Sequence, residues 1–267
     1  MLAHYLFGFN WLLALLLGTA LAPTDPAVVF SVPGQREVSG RSGTVLEGES
    51  GANDPVGIAL MVSLVAAAGA GGGISIGSIL LEFVVQMVVG AAVGLGGGIL
   101  LTQFMRRVPL PSEGLYPLRV LASALALYGV ATLAHGSGFL AVFVAGIVIG
   151  DAGAPYKREI ERFHSSLASL AEIVAFIVLG LTVGLDTLPR SNSWVIGLVL
   201  AALLGFVVRP LLVGSLMLPI RMSWGERGFI PWSGLKGAVP ILLGAFVLTG
   251  GVKGAPAGTW WPTARAG

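Results

Sequence analysis

Residues 46–60 read LEGESGANDPVGIAL and set Asp54 between Asn53 and Pro55 in a run otherwise suited to oil. A charged carboxylate at the centre of a bilayer costs at least ~2.5–3.5 kcal/mol, so it persists there only with a partner, a cavity or a proton. Such a group can hold a proton or a cation, one at a time. Loading an alkali ion from one side then expels the proton, and exchange needs no further coupling device. The alternative is that Asn-Asp-Pro breaks the helix and Asp54 merely caps a buried helix end. Ser50 lies four residues earlier, on the same helical face. Its hydroxyl adds a hard oxygen of the type alkali ions favour, or bonds back to its own helix. Asn53 puts a neutral amide beside the acid; with one titrating group in the pair, one-for-one electroneutral exchange is the natural expectation.

A second polar break lies in LAPTDPAVVF, residues 21–30. Pro23 and Pro26 each remove a backbone donor and obstruct the preceding turn, so Thr24 and Asp25 sit where the chain unwinds. Freed carbonyls, the Thr24 hydroxyl and the Asp25 carboxylate either ligate an ion or neutralise half-helix ends. For Asp25 the electrostatic role is the expected one, because a helix N-terminus favours a carboxylate. A third break, WSGLKGAVP at residues 232–240, carries two glycines, Lys236 and Pro240. Lys236 there offsets inward-pointing carbonyl ends, or marks the membrane interface. Arg209, in FVVRPLLV at residues 206–213, would be very unfavourable unpaired at depth. Glu49 is its candidate partner, and snorkelling to an interface is the alternative.

These residues need elements that hold them inside a membrane. The 267 residues are 55% hydrophobic and only 10% charged, with 40 glycines, whereas an ordinary soluble domain carries about 25% charged residues. Eight candidate spans follow, at roughly 5–31, 46–68, 77–105, 118–134, 137–150, 167–185, 194–219 and 231–250. The successive connections alternate in charge. One side collects Arg36, Arg41, Arg106, Arg107, Arg119, Lys157, Arg158, Arg162, Arg221 and Arg227, and the other only Arg190. Basic residues favour the cytoplasmic side, which puts the N-terminus outside. The first 22 residues resemble a signal peptide but lack its basic start, so a retained transmembrane helix is expected. Spans one and eight run in opposite directions, and both are broken midway, a pattern of inverted-repeat transporters whose substrate site lies at the breaks.

Other classes fit less well. A channel needs a filter of repeated carbonyls or charged rings, and none is visible. An intramembrane aspartyl protease would need a glycine-rich motif before an aspartate; the nearest, VGLD at 183–186, falls at a span end. No basic patch with interleaved aromatics suggests nucleic acid, and the absence of cysteine removes disulfides and thiolate metal sites.

The strings TDPAVVF, LEGESGANDPVGIAL and GLKGAVPI resemble the signatures of bacterial monovalent cation/proton antiporters of the NhaP and CvrA type. The resemblance implies an all-α polytopic fold, part of a thirteen-helix inverted repeat with two broken, crossing helices. The eight spans would then be family helices five to twelve, and the chain a fragment incomplete at both ends. A transmembrane domain is expected over residues 1–251, followed by a non-helical tail at 252–267. The resemblance makes Asp54 the ion and proton carrier, Ser50 a cation ligand, and Glu49 with Arg209 a buried ion pair bracing the core. Thr24, Asp25 and Asn53 complete the expected binding site, with Lys236 the charge in the second broken helix. The implied function is exchange of K⁺ or Na⁺ for H⁺ across the bacterial cell membrane. The resemblance implies no enzyme activity, and no cofactor beyond the transported ions. It also implies a homodimer whose dimer face is largely missing from this chain. Its strings lean toward the potassium branch, and a truncated inactive antiporter or a cation channel remains the alternative.

Overall fold

The computed structural model describes residues 1–25, 41–69, 75–182, 193–220 and 222–249. Pro26, Arg36, Arg190, Arg221 and the expected tail at 252–267 lie outside them. Every regular element among the described residues is helical. Five helical stretches are long and apolar enough to cross a membrane: Ser42–Ala68, Ile76–Arg107, Leu115–Leu133, Lys157–Leu181 and Trp194–Leu216. Three shorter apolar helices, Trp11–Leu21, Gly138–Asp151 and Ala238–Val247, occupy the other expected spans. The chain divides into two compact units: residues 1–54 with 176–267, and residues 55–175.

The first unit opens with α1 (Leu2–Phe7), which ends at Gly8 in the left-handed region (φ 68°), and α2 (Trp11–Leu21). Asn10 caps α2, its Oδ1 accepting from the Leu13 amide at 2.7 Å. The helix stops ahead of Pro23, as a missing amide and an obstructing ring require. Next comes the first half of α3 (Arg41–Gly69). Then follow α8 (Ser193–Leu203), a π-helical turn (Leu204–Val208), α9 (Arg209–Leu216), α10 (Trp224–Trp232) and α11 (Ala238–Thr249). Ser223 and Glu226 close a reciprocal capping box at the start of α10. Residues 233–237 between α10 and α11 are not helical, so the eighth span is broken where its glycines stand. Leu46, Met217 and Ile230 form a buried apolar cluster.

The second unit holds the rest of α3 with α4 (Ile76–Arg107), α5 (Leu115–Leu133), α6 (Gly138–Asp151) and most of α7 (Lys157–Thr182). Gly90, Gly94 and Gly98 recur every four residues on α4 and let α6 approach closely. A Cβ on Gly90 would stand 2.6 Å from the Ser137 carbonyl oxygen, and one on Gly98 2.9 Å from Val148 Cβ. Small residues at such a seam are how membrane helices reach contact without a hydrophobic driving force. Gln86, buried on α4, donates to Ser63 Oγ of α3 at 3.3 Å.

One sequence expectation shifts. The sixth span begins at Lys157, ten residues ahead of its expected start, because its first turns are amphipathic. Asn53, Asp54 and Pro55 lie mid-helix in Arg41–Gly69, as in the expected span at 46–68, so the alternative in which Asp54 caps a helix end is not met.

Candidate functional site

The site is built on the first unit, where the two broken segments meet. The Asp25 amide donates to the Leu235 carbonyl at 2.9 Å, joining one unwound stretch to the other. Gly237 makes that approach possible, since a Cβ there would overlap the Asp25 carboxylate. Lys236 reaches the other way. Its Nζ donates to the carbonyls of Leu21 (2.6 Å), Pro23 (2.9 Å) and Ala22 (3.3 Å). The first is the last carbonyl of α2 and the other two follow it directly, where the ending helix leaves carbonyls without amide donors, and a cation is favoured there by the helix dipole.

Residues 49–54 of α3 supply the remaining polar groups. Glu49 and Asn53 are one turn apart and both face Thr24, which is buried. Asn53 Nδ2 donates to Thr24 Oγ1 at 2.8 Å, the Thr24 amide reaches Asn53 Oδ1 at 3.4 Å, and Thr24 Oγ1 donates to Glu49 Oε1 at 3.4 Å. Asn53 therefore locks the unwound strand to α3 with both halves of its amide. Pro55 removes the amide that would have bonded the Gly51 carbonyl, one turn back along α3.

Glu49 also meets Arg209. The guanidinium binds it in a fork, Nη1 to Oε1 at 2.8 Å and Nη2 to Oε2 at 3.2 Å, with the arginine only 8% exposed. Arg209 Nε donates to the Pro231 carbonyl at 2.9 Å. It thus ties α3 to the end of α10 with all three nitrogens engaged. Gly234 gives the guanidinium its space, because a Cβ there would overlap it.

Asp54 differs from these. Its Oδ1 is buried and has no hydrogen-bond partner among the described residues, while Ser50, one turn before it, is also buried. A cavity of about 580 Å³ in the same unit is lined by Glu49, Asn53 and Arg209 at one side and by apolar residues such as Leu17, Leu203 and Leu212. The residues singled out in the sequence thus fall into three groups. Thr24, Asn53, Glu49 and Arg209 form one hydrogen-bonded network. Asp25 and Lys236 tie the two breaks together, and Asp54 with Ser50 occupies the adjacent face of α3. Sequence reasoning missed Gly234 and Gly237 as spacers for Arg209 and Asp25, although their flanking of Lys236 in GLKG was the available signal. It also missed the Leu235, Ile230 and Pro231 carbonyls, which carry no side-chain signature.

Residues 1–264 match the family described as sodium/hydrogen exchanger, transmembrane. The K(+)/H(+) antiporter NhaP of Alkalimonas amylolytica is 38% identical over 94% of this chain and 43% of its own length. The K(+)/H(+) antiporter NhaP2 of Shewanella oneidensis is 37% identical over 95% of this chain and 44% of its own length. The chain spans less than half the length of these curated relatives. Among solved structures, the sodium proton antiporter MjNhaP1 from Methanocaldococcus jannaschii superposes with a TM-score of 0.69 at 27% identity, covering 88% of this chain and 60% of the other. The matched fold agrees with the all-helical architecture described above, and this multi-pass membrane chain belongs to the transmembrane sodium/hydrogen exchanger family.

Proposed function

We propose that the chain forms the ion-binding part of an antiporter that exchanges a monovalent cation for a proton, with Asp54 as the shared carrier. The observation that carries this reading is the unpartnered, buried Asp54 Oδ1 beside a network in which Glu49 is already committed to Arg209. A carboxylate held by a permanent counter-ion is poorly placed to release one cargo for another; Asp54 has no such counter-ion in hydrogen-bonding contact among the described residues. Ser50, Asn53, Thr24 and Asp25 would supply or shape the oxygen shell, and Glu49–Arg209 and Lys236 would hold its frame. With Asn53 neutral, each cycle moves one cation against one proton without net charge. Potassium is the preferred cargo in this reading, supported by the names that the Alkalimonas and Shewanella relatives carry. The setting is the bacterial plasma membrane with the N-terminus outside, and the family resemblance supports a homodimer.

The test is proton flux in everted membrane vesicles on addition of K⁺, Na⁺ or Li⁺. It compares the 267-residue chain, its Asp54→Asn form, and a chimaera in which this chain replaces the corresponding stretch of the Alkalimonas relative. Cation-driven flux that is insensitive to membrane potential and lost with Asp54→Asn supports the reading. Flux that survives Asp54→Asn in the chimaera removes Asp54 from the centre of the scheme.

A further inference from the structure

The second unit carries its basic residues at one end. Arg106 and Arg107 close α4, Arg119 stands in the first turns of α5, and Lys157, Arg158 and Arg162 open α7. No Lys or Arg occurs between 76 and 105 or between 120 and 156, so the opposite end has none. The basic end is tied together. Arg106 Nη2 donates to the Ala152 carbonyl, Arg119 Nη1 to the Val108 carbonyl at 2.7 Å, and the rings of Tyr116 and Tyr156 lie 4.7 Å apart. Glu113, Asp151, Glu159 and Glu161 offset part of the charge and leave a cationic excess.

From this end a slot of about 310 Å³ runs between α5, α6 and α7. Ala124 and Gly146 leave the room for it, and Leu127 and Val142 lie at its deep end. From Arg119 to Leu127 is ~12 Å along a helix rising 1.5 Å per residue, a depth suited to a hydrocarbon chain. Lys157 stands at the mouth with its side chain 46% exposed, its Nζ bonded to the Gly150 carbonyl at 2.8 Å and 3.6 Å from Glu161 Oε1. An ammonium has three donors, which leaves capacity for another acceptor. His164 also lines the slot. Its Nδ1 is 2.8 Å from the Ile160 carbonyl, and its Nε2 is buried without a hydrogen-bond partner among the described residues.

An apolar shaft beneath a cationic rim fits an acyl chain carrying an anionic head. We propose that the slot binds an anionic phospholipid of the adjoining leaflet, one acyl chain between α5 and α6 and the phosphate on Lys157. Anionic lipids of the cytoplasmic leaflet are drawn to basic residues at span ends, and Arg158 and Arg162 add to that field. Glu161 competes with the phosphate for Lys157, so the head has to carry net negative charge to win that position.

The experiment uses the full chain purified in detergent and delipidated, then incubated with phosphatidylglycerol or phosphatidylcholine of identical acyl chains. Retained lipid is counted by native mass spectrometry. Phosphatidylglycerol is retained at least about fivefold more than phosphatidylcholine, and Lys157→Gln removes about that factor, since one basic residue near the surface contributes on this scale. Ala124→Phe fills the shaft and lowers retention of both lipids. Gly146→Leu repeats that test from α6, with far-UV circular dichroism confirming that each variant keeps its helices. Equal retention of the two lipids overturns the proposal, as does undiminished retention in both shaft-filling variants. Displacement of the lipid by free inorganic phosphate would reduce the site to a surface anion contact. Retention of neither lipid would leave the slot to another protein segment, and that too rejects the proposal.

Discussion

The ammonium of Lys236 lies 2.6 Å from the carbonyl oxygen of Leu21, the last residue of α2. Pro23 and Ala22 offer two further carbonyls to the same nitrogen, so a cation from the second broken span caps the end of the first. Replacing it with methionine keeps the length and removes every donor. Each charge-assisted bond is worth about 1.5–3 kcal/mol, and bonds to one ammonium are not additive, so Lys236→Met should cost about 2–4 kcal/mol. Thermal unfolding of the purified chain in detergent checks this. An unchanged midpoint would show that water satisfies those carbonyls equally well.

Glu49 and Arg209 should behave as one unit. Removing one partner of a buried ion pair leaves an uncompensated charge and costs about 3–5 kcal/mol. Glu49→Gln and Arg209→Met are therefore each expected to be strongly destabilising, while the double variant loses less than their sum by at least about 1 kcal/mol. A double-mutant cycle on unfolding free energies measures that coupling. Strict additivity would mean that the Pro231 and Ile230 carbonyls, rather than Glu49, anchor the guanidinium.

The polar breaks were legible in the sequence because their causes are local. Pro23 stops α2 through its own ring and missing amide, and Asp54, Glu49, Arg209 and Lys236 stand out as charges within apolar runs. Long-range partners left no such trace. Nothing near Lys236 marks the carbonyls of Leu21 and Pro23 more than two hundred positions earlier, because any backbone carbonyl can accept. Pro55 shows the converse: a proline alone reads as a possible break, yet α3 continues through it, as in the expected span at 46–68. The start of α7 was hidden because Lys157 and Glu161 pair at 3.6 Å across one turn, and a helix opening with charged turns looks like a loop to an apolar-span search. The π-helical turn before Arg209 is a property of backbone hydrogen-bond register and has no residue signature in LGFVV.

Gly237 and Gly244 make a paired test of the crossing point. A methyl at Gly237 overlaps the Asp25 carboxylate, whereas nothing lies within 4 Å of one at Gly244. Gly244→Ala in α11 should be neutral or stabilising by up to about 1 kcal/mol, the usual gain from alanine in a helix. Gly237→Ala should force the two unwound segments apart and lower both the unfolding midpoint and the exchange rate of the chimaera. Equal behaviour of the two variants would show that the segments separate without consequence.

A π-helical turn at Leu204–Val208 directly precedes Arg209. Such a turn is in effect a one-residue insertion in an α-helix, and each residue of an α-helix advances the side chain by about 100°. Deleting Gly205 should let the stretch from α8 to α9 close into a continuous α-helix, improving its local hydrogen bonding. The widened turn absorbs the extra residue, so the deletion should leave α8 and Arg209 facing as they do. α8 is largely exposed, Trp194 by 50% and Leu198 by 61%, and has little packing to lose, while Arg209 keeps its bonds to Glu49 and the Pro231 carbonyl. The deletion should then leave the unfolding midpoint unchanged or raised, with the Glu49→Gln penalty intact. A deletion that destabilises the chain as much as Arg209→Met and erases the Glu49→Gln penalty would show that the ion pair depends on the widened turn.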